Sequence, residues 1–241
     1  QGMQEALGGN FYEAIVGGAA INAEIESLLK DIGFNYCVGY GATECAPILA
    51  YEDWKLFKKG SCGKAVPRMT LKIDSPDQQN IPGEILAKGD NVMLGYYKNE
   101  EATAETLVDG WYHTGDLGII DAEGNVFIKG RSKNMLLGAN GQNIYPEEIE
   151  DKLNSLPMVL ECAVIQKGEK LYALVYPDME QVKALKLGED DLKAIMEQNR
   201  KDLNTQIPAY EQICGIKIME QEFEKTPKRS IKRFLYKDEE I

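Results

Sequence analysis

The feature that most limits how this chain can fold is a strand–helix–strand pattern near its start. Residues 11–16 form a short apolar run, and residues 34–38 form a second one. Between them, apolar positions recur at the spacing of one helix face, at Ile21, Ile25, Leu28, Leu29 and Ile32. Gly33 stands where glycine commonly ends a helix. Because open α/β sheets bind ligands at the carboxyl ends of their strands, the pattern predicts a ligand-binding loop directly after residue 38.

That loop reads Val-Gly-Tyr-Gly-Ala-Thr-Glu. Gly39 and Gly41 allow backbone angles that are closed to other residues and let a ligand approach the main chain. Tyr40, between them, offers a flat face for a base. Thr43 can bond a phosphate oxygen, and Glu44 can hold a hard cation. The loop therefore has the residue types of a nucleotide site, although a tight turn after a buried strand would also use such glycines.

Composition restricts the class of protein. The 241 residues are 44% hydrophobic and 27% charged, which is enough for one large or two ordinary domains with real cores. The net charge of -12 argues against a nucleic-acid partner and against electrostatic membrane attachment. No apolar stretch is long enough for a membrane helix, and no basic-then-apolar leader is present. We therefore expect no stable membrane insertion, and the cysteine usage described next favours a cytoplasmic protein.

The cysteines and the first residues add two further expectations. The five cysteines are odd in number, scattered, and contain no Cys-x-x-Cys pair, so neither a disulfide framework nor a zinc site is indicated. The chain opens at Gln1, in what looks like a helix already under way. We therefore expect a fragment of a larger polypeptide whose upstream part is missing.

The remaining pattern predicts two further regions. Between residues 61 and 129, short extended runs alternate with turn residues, and residues 121–125 read as a hairpin turn. After Arg131 the pattern becomes α+β: a Glu-rich helix from Pro146 to Leu153, strands at 161–166 and 171–176, and an amphipathic helix near 191–203 whose apolar face is expected to be core. The polar stretch at 131–134 is the predicted boundary, which gives a mixed α+β fold with domains 1–131 and 132–241.

Several motifs occur in an order that resembles one family. They are Gly17-Gly18-Ala19, residues 39–44, Gly-Trp-Tyr-His-Thr-Gly-Asp-Leu-Gly at 110–118, Gly-Arg-Ser-Lys at 130–133 and Asn-Ile-Tyr-Pro-Glu-Glu-Ile-Glu at 143–150. In this order the chain resembles the C-terminal part of the adenylate-forming, AMP-binding superfamily, which includes acyl-CoA ligases, luciferases and peptide-synthetase adenylation domains. Residues 1–131 would then be the C-terminal portion of the large AMP-binding domain, and residues 132–241 the small mobile domain.

The resemblance implies a role for each residue of the loops. Gly18 and Ala19 would edge the adenine pocket, beside the loop that contains Gly39 and Gly41. Tyr40 would stack on the purine. Thr43 would contact phosphate, Glu44 would hold Mg²⁺, and the ribose hydroxyls would bind Asp116 and Arg131.

The lysines of the family pattern match less completely. Lys133 occupies the hinge position between the two domains. In the most natural register, Ser230 stands where the family has a lysine that meets the α-phosphate and the substrate carboxylate. Lys228 and Lys232 are therefore the candidates for this role, with a basic solvated segment as the alternative. The only histidine, His113, is not expected to be catalytic.

The implied activity is ATP-dependent activation of a fatty acid as an acyl-adenylate, followed by transfer to coenzyme A. The motif strings look most similar to long-chain fatty acid–CoA ligases. Aryl acid–CoA ligases, other adenylate-forming enzymes and a non-catalytic nucleotide-binding relative are the alternatives. The family's Ser/Thr/Gly-rich phosphate loop would lie before Gln1, and no Gly-x-x-x-x-Gly-Lys-Ser/Thr string occurs, so the isolated chain is expected to be inactive.

Overall fold

The computed structural model describes residues 2–18, 21–227 and 229–241. The chain forms two compact units, Gln1–Lys133 and Asn134–Ile241. The boundary predicted from the sequence lies after Arg131, within the polar stretch at 131–134. In the described part of the chain, no helix has both the length and the apolar character needed to cross a bilayer.

The first unit combines short helices with many short strands. Its helices are α1 (Gly2–Ala6), α2 (Ala23–Asp31) and α3 (Glu100–Thr106). Its strands are β1 (Ala14–Val16), β2 (Tyr36–Val38), β3 (Tyr40–Gly41), β4 (Ile48–Tyr51), β5 (Lys64–Ala65), β6 (Met69–Asp74), β7 (Gly83–Gly89), β8 (Leu107–Val108), β9 (Trp111–Ile120) and β10 (Val126–Arg131).

Three groups of strands organise this unit. Strands β1 and β2 are parallel and flank α2, as the strand–helix–strand pattern predicts. Strands β3, β4 and β5 form a small antiparallel sheet, and the largest sheet has the order β10-β9-β7-β6, with β8 paired to β9. The hairpin between β9 and β10 confirms the turn predicted at 121–125, where the Asp121 carboxylate accepts the backbone N–H groups of Glu123 and Asn125.

Helix α2 forms where its periodicity predicts, but a different face points inward. Glu26 is 3% exposed and accepts a 3.0 Å hydrogen bond from the Gly60 N–H, while Ile25 and Leu28 are more than half exposed. The backbone N–H of Gly60 needs an acceptor, and the Glu26 carboxylate supplies one. The Glu26 carboxylate thus contacts a later loop of the chain, which apolar spacing alone does not reveal.

The second unit is an α+β module. Its helices are α4 (Pro146–Leu153), α5 (Met179–Ala184) and α6 (Glu189–Gln206), and its strands are β11 (Leu136–Leu137), β12 (Asn143–Ile144), β13 (Val159–Lys167), β14 (Lys170–Pro177) and β15 (Ile213–Ile218). Strands β13, β14 and β15 form one sheet in that order, with β15 parallel to β14. Leu192, Met196 and Leu203 of α6 are buried in its core, as expected.

Candidate functional site

Two glycine-containing loops leave the same edge of the β1–β2 pair. Val16 lies opposite Val38 in the parallel register, so the carboxyl ends of the two strands are side by side. Gly18 follows β1 with φ at +82°, and the Gly39 N–H donates to the Val16 carbonyl at 2.9 Å. Ala19, the other residue expected here, lies outside the described residues. Both loops therefore open at the strand ends.

Gly41 is required by a close approach of the chain to itself. A Cβ at this position would lie 2.3 Å from the Pro47 carbonyl oxygen, whereas one at Gly39 would have ordinary van der Waals contacts. The β3–β4 register shifts between Tyr40 and Gly41, which brings the two backbones together. The glycine therefore sets the path of the loop independently of any ligand.

Strand β9 contains a bulge at residues 114–116. The pairing advances by four residues on β9 and by two on β7, so these three residues stand opposite Ile85 alone. The buried Thr114 hydroxyl donates to the Ile85 carbonyl at 2.7 Å and accepts the Asp116 N–H at 3.0 Å. Bulges re-aim side chains that a regular strand would place elsewhere. Here the bulge directs Asp116.

Asp116 joins two residues that are distant in sequence. It pairs with Arg131 across the β9–β10 register, and the Arg131 Nε lies 2.8 Å from Asp116 Oδ1. The Tyr40 hydroxyl donates to Asp116 Oδ2 at 2.6 Å. Arg131 also donates to the Thr114 carbonyl at 3.3 Å. The structure thus brings Tyr40, Asp116 and Arg131 into one cluster.

Burial differs sharply within this cluster. Tyr40 and Asp116 are 7% and 8% exposed, whereas the Arg131 side chain is 61% exposed. Burial, reinforced by the Asp116 charge, raises the pKa of Tyr40 well above its ordinary value. The Tyr40 hydroxyl therefore remains a donor at neutral pH. A carboxylate accepts at about four positions, so Asp116 can also accept hydroxyl donors from a ligand.

Glu44 lies on the turn that follows β3. Its Oε1 accepts a 2.8 Å hydrogen bond from the Tyr96 hydroxyl, and its carbonyl accepts the Met93 N–H at 2.7 Å. Burial and the neighbouring Glu44 raise the pKa of both Tyr96 and Tyr112. Since Tyr112 belongs to β9, Glu44 lies near the strand that carries the bulge. Thr43, beside it, is exposed.

The lysines predicted from the family pattern lie in different settings. Lys133 is exposed, and Lys228 is outside the described residues. The Lys232 Nζ lies 3.0 Å from Glu224 Oε2. Ser230 is exposed on a turn in which its carbonyl accepts the Thr226 N–H at 2.9 Å. Of the two candidates, only Lys232 therefore has a described environment, and it is ion-paired.

Two residues in contact with the site were missed by sequence analysis. Tyr96 binds Glu44 as described, and Glu84 of β7 places its two oxygens against the Gly115 N–H and the His113 ring. Neither residue belongs to a local pattern that marks it. Within the described residues, no group of three or more His, Cys, Asp or Glu could hold a metal by itself. Mg²⁺ in nucleotide sites usually uses one or two carboxylates together with phosphate oxygens, and Glu44 fits that donor set.

Comparison with known proteins identifies the family. The sequence model of the AMP-binding enzyme matches residues 3–97, and the model of the AMP-binding enzyme C-terminal domain matches residues 133–238. Together these matches span most of the chain, and its mixed α+β fold is that of the C-terminal part of adenylate-forming enzymes. The chain belongs to the AMP-binding enzyme superfamily.

Two of the similar curated proteins are acid–CoA ligases with different substrates in their names. The long-chain-fatty-acid–CoA ligase FadD15 of Mycobacterium bovis is 36% identical over 163 residues, which are 68% of this chain and 26% of that protein. The 2-succinylbenzoate–CoA ligase of Bacillus cytotoxicus is 40% identical over 158 residues, 64% of this chain and 32% of that protein. The chain therefore spans about a quarter to a third of these relatives.

Solved structures show the same fold. The anthranilate CoA ligase AuaEII, in complex with anthranoyl-AMP, has a TM-score of 0.77 and 27% identity, covering 92% of this chain and 43% of that one. The O-succinylbenzoate coenzyme A synthetase of Bacillus subtilis, in complex with ATP and magnesium, also has a TM-score of 0.77 over 99% of this chain and 50% of that one. At 24% identity, the second similarity shows the fold alone.

Proposed function

We propose that this chain supplies the nucleotide-binding edge and the small C-terminal domain of an ATP-dependent acid–CoA ligase that activates fatty acids. The cluster of Tyr40, Asp116 and Arg131 is the observation that supports the proposal most directly. It places a buried carboxylate and an exposed guanidinium at one point, a combination suited to ribose hydroxyls and a nearby phosphate.

The loop residues would complete the nucleotide site. Gly18, Ala19, Gly39 and Gly41 would bring backbone close to the adenine, which Tyr40 would border. Thr43 would donate to a phosphate oxygen, and Glu44, held by Tyr96, would hold Mg²⁺. When bound, Mg²⁺ would offset the negative charge that develops on the phosphates.

The reaction would proceed in two halves. The substrate carboxylate would attack the α-phosphate of ATP, giving an acyl-adenylate and pyrophosphate, and the thiol of coenzyme A would then displace AMP to give the thioester. Lys232 or Lys228 would meet the carboxylate and the α-phosphate in the first half. Lys133 would be the hinge about which the small domain moves between the two half-reactions. A fatty acid is supported by the motif strings and by the FadD15 relative, and an aryl acid by the succinylbenzoate relative.

Calorimetry with AMP tests the nucleotide site. Wild type should bind AMP, and Asp116→Ala should weaken binding about tenfold or more, because a hydrogen bond to a charged group contributes about 1.5–3 kcal/mol. Asp116→Asn keeps the shape of the side chain and tests the charge. Asp74→Ala is the matched control, because it removes an exposed carboxylate from β6, which is separated from β9 by β7. Absence of binding by wild type, or equal binding by Asp116→Ala, contradicts the proposal.

Ser230 favours a second candidate, a nucleotide-binding relative that has lost the chemistry. Both candidates bind AMP, so binding alone does not separate them. Conversion of ATP to AMP by the full-length protein in the presence of a fatty acid supports the ligase. No conversion by the wild type, with conversion gained by Ser230→Lys, supports the non-catalytic relative.

A further inference from the structure

Glu84 is a partly buried carboxylate for which the proposed function has no role. It lies on β7 with its side chain 26% exposed. Its Oε1 accepts the Gly115 N–H at 2.8 Å, and its Oε2 lies 2.9 Å from the His113 Nδ1. One side chain therefore contacts two residues of β9, on either side of Thr114.

The Gly115 N–H needs this acceptor because of the bulge. Residues 114–116 stand opposite a single β7 residue, so the middle residue has no partner on that strand. A backbone N–H left without a partner in a partly buried position is costly. Gly115 also has φ at +71°, a conformation that glycine adopts readily. Glu84 thus accepts the Gly115 N–H, which the bulge leaves without a backbone partner on β7.

Two side chains hold the bulge. Thr114, which is 6% exposed, bonds the Ile85 carbonyl and the Asp116 N–H. Glu84 bonds the Gly115 N–H. Gly115 directly precedes Asp116 in the chain. Its backbone conformation therefore helps to set the direction of the Asp116 Cα–Cβ bond.

From this geometry we infer that Glu84 is a positioning residue for ligand recognition, acting through the Gly115 backbone to aim the Asp116 carboxylate at the nucleotide ribose. The inference rests on the proposed function, since it assumes that Asp116 binds ribose. Glu84 itself touches only Gly115 and His113 among the site residues discussed. Removal of the Glu84 carboxylate should therefore weaken only that part of the binding that comes from the ribose hydroxyls on Asp116.

The test compares AMP with 2′,3′-dideoxy-AMP, which lacks both ribose hydroxyls. Calorimetry on the full 241-residue chain gives the ratio of the two dissociation constants for each variant. Glu84→Ala should weaken the binding of AMP about tenfold and leave the binding of dideoxy-AMP unchanged. The ratio of the two dissociation constants then falls toward one. Glu84→Gln retains an oxygen for the Gly115 N–H and should recover most of the preference. Asp74→Ala, which removes the exposed carboxylate opposite Glu84 in the β6–β7 register, should keep the wild-type ratio.

The outcomes separate this inference from the proposed function. If wild type prefers AMP and Glu84→Ala keeps that preference, or weakens both ligands equally, Glu84 does not position Asp116. If wild type binds neither ligand, or both equally, the ribose role of Asp116 fails. In that case amide exchange at Gly115 decides the structural step: faster exchange in Glu84→Ala than in Asp74→Ala supports the backbone contact, and equal exchange overturns it.

Discussion

The hydrogen bond between Tyr40 and Asp116 should account for much of the stability of the cluster, and a double-mutant cycle measures it. The cycle uses Tyr40→Phe, Asp116→Ala and the double variant. Both residues are less than a tenth exposed, and the donor–acceptor distance is 2.6 Å. Tyr40→Phe removes only the hydroxyl, whereas Asp116→Ala leaves that hydroxyl buried without its acceptor.

The magnitudes follow from burial. A hydrogen bond to a charged group contributes about 1.5–3 kcal/mol, which is the expected loss for Tyr40→Phe. The Arg131 side chain is 61% exposed, so its pair with Asp116 contributes at most about 1 kcal/mol. Asp116→Ala should therefore cost about 2–4 kcal/mol. In the double variant the two losses overlap, which gives a coupling energy of about 1.5–3 kcal/mol.

Urea unfolding followed by tryptophan fluorescence is the suitable assay. Trp54 and Trp111 are the only tryptophans, and both lie in the first unit, so the fluorescence reports that unit. Tyr97→Phe is the matched control because Tyr97 is 88% exposed, and it should change the free energy of unfolding by less than about 0.5 kcal/mol. A coupling energy below about 0.5 kcal/mol would refute the reasoning.

Three further predictions concern other parts of the chain. Arg233→Met should destabilise the second unit by about 3–5 kcal/mol, because it removes the ion-pair partner of the Glu150 carboxylate, which is 5% exposed. Hydrogen exchange measures this loss. Lys232→Met is the control and should have little effect, because its partner Glu224 is exposed. Of the five cysteines, only the exposed Cys214 should react quickly with a thiol reagent at pH 8. Burial raises the pKa of Cys45 to about 11 and that of Cys62 to about 12, so few of these thiols are ionised. Rapid labelling of Cys45 or Cys62, detected by mass spectrometry, would contradict this. Burial alone would raise the pKa of Asp121, but hydrogen bonds from Lys58 and Asn125 lower it below the ordinary aspartate value. The ionised carboxylate therefore stabilises the folded state above the ordinary aspartate pKa. That contribution is lost as the pH falls toward the lowered pKa. Unfolding midpoints of wild type and Asp121→Asn should therefore converge on acidification, and a gap that stays constant from pH 7 to pH 3 argues against this account.

Local pattern predicted those elements whose side chains repeat with a regular period. Helix α4 spans Pro146–Leu153, as predicted, and strand β14 covers the run predicted at 171–176. The first half of β9 was not foreseen, because Gly115 and Asp116 interrupt the alternation that marks a strand. The burial of Glu26 on α2 was not predicted either, because its partner Gly60 lies in a later loop.

The sequence likewise predicts only some of the residues of the candidate site. The motifs named Tyr40, Asp116 and Arg131, but only the fold shows that the Tyr40 hydroxyl, rather than its ring alone, reaches the Asp116 carboxylate. Glu84 and Tyr96 have no local pattern, because their partners lie on other strands or loops. Residues that act by satisfying a backbone group or another side chain become visible only when the chain is folded.

The bulge in β9 has a consequence for chain length. It adds two residues relative to β7, an even number, so Tyr112 and Ile120 on either side both point into the core. Deleting one residue of 114–116 would reverse the orientation of every later side chain in the strand, because strand faces alternate with a period of two. Deleting two would preserve the sheet while abolishing the position from which Asp116 projects. Shortening β9 without changing the face on which its later side chains lie therefore requires the removal of two residues.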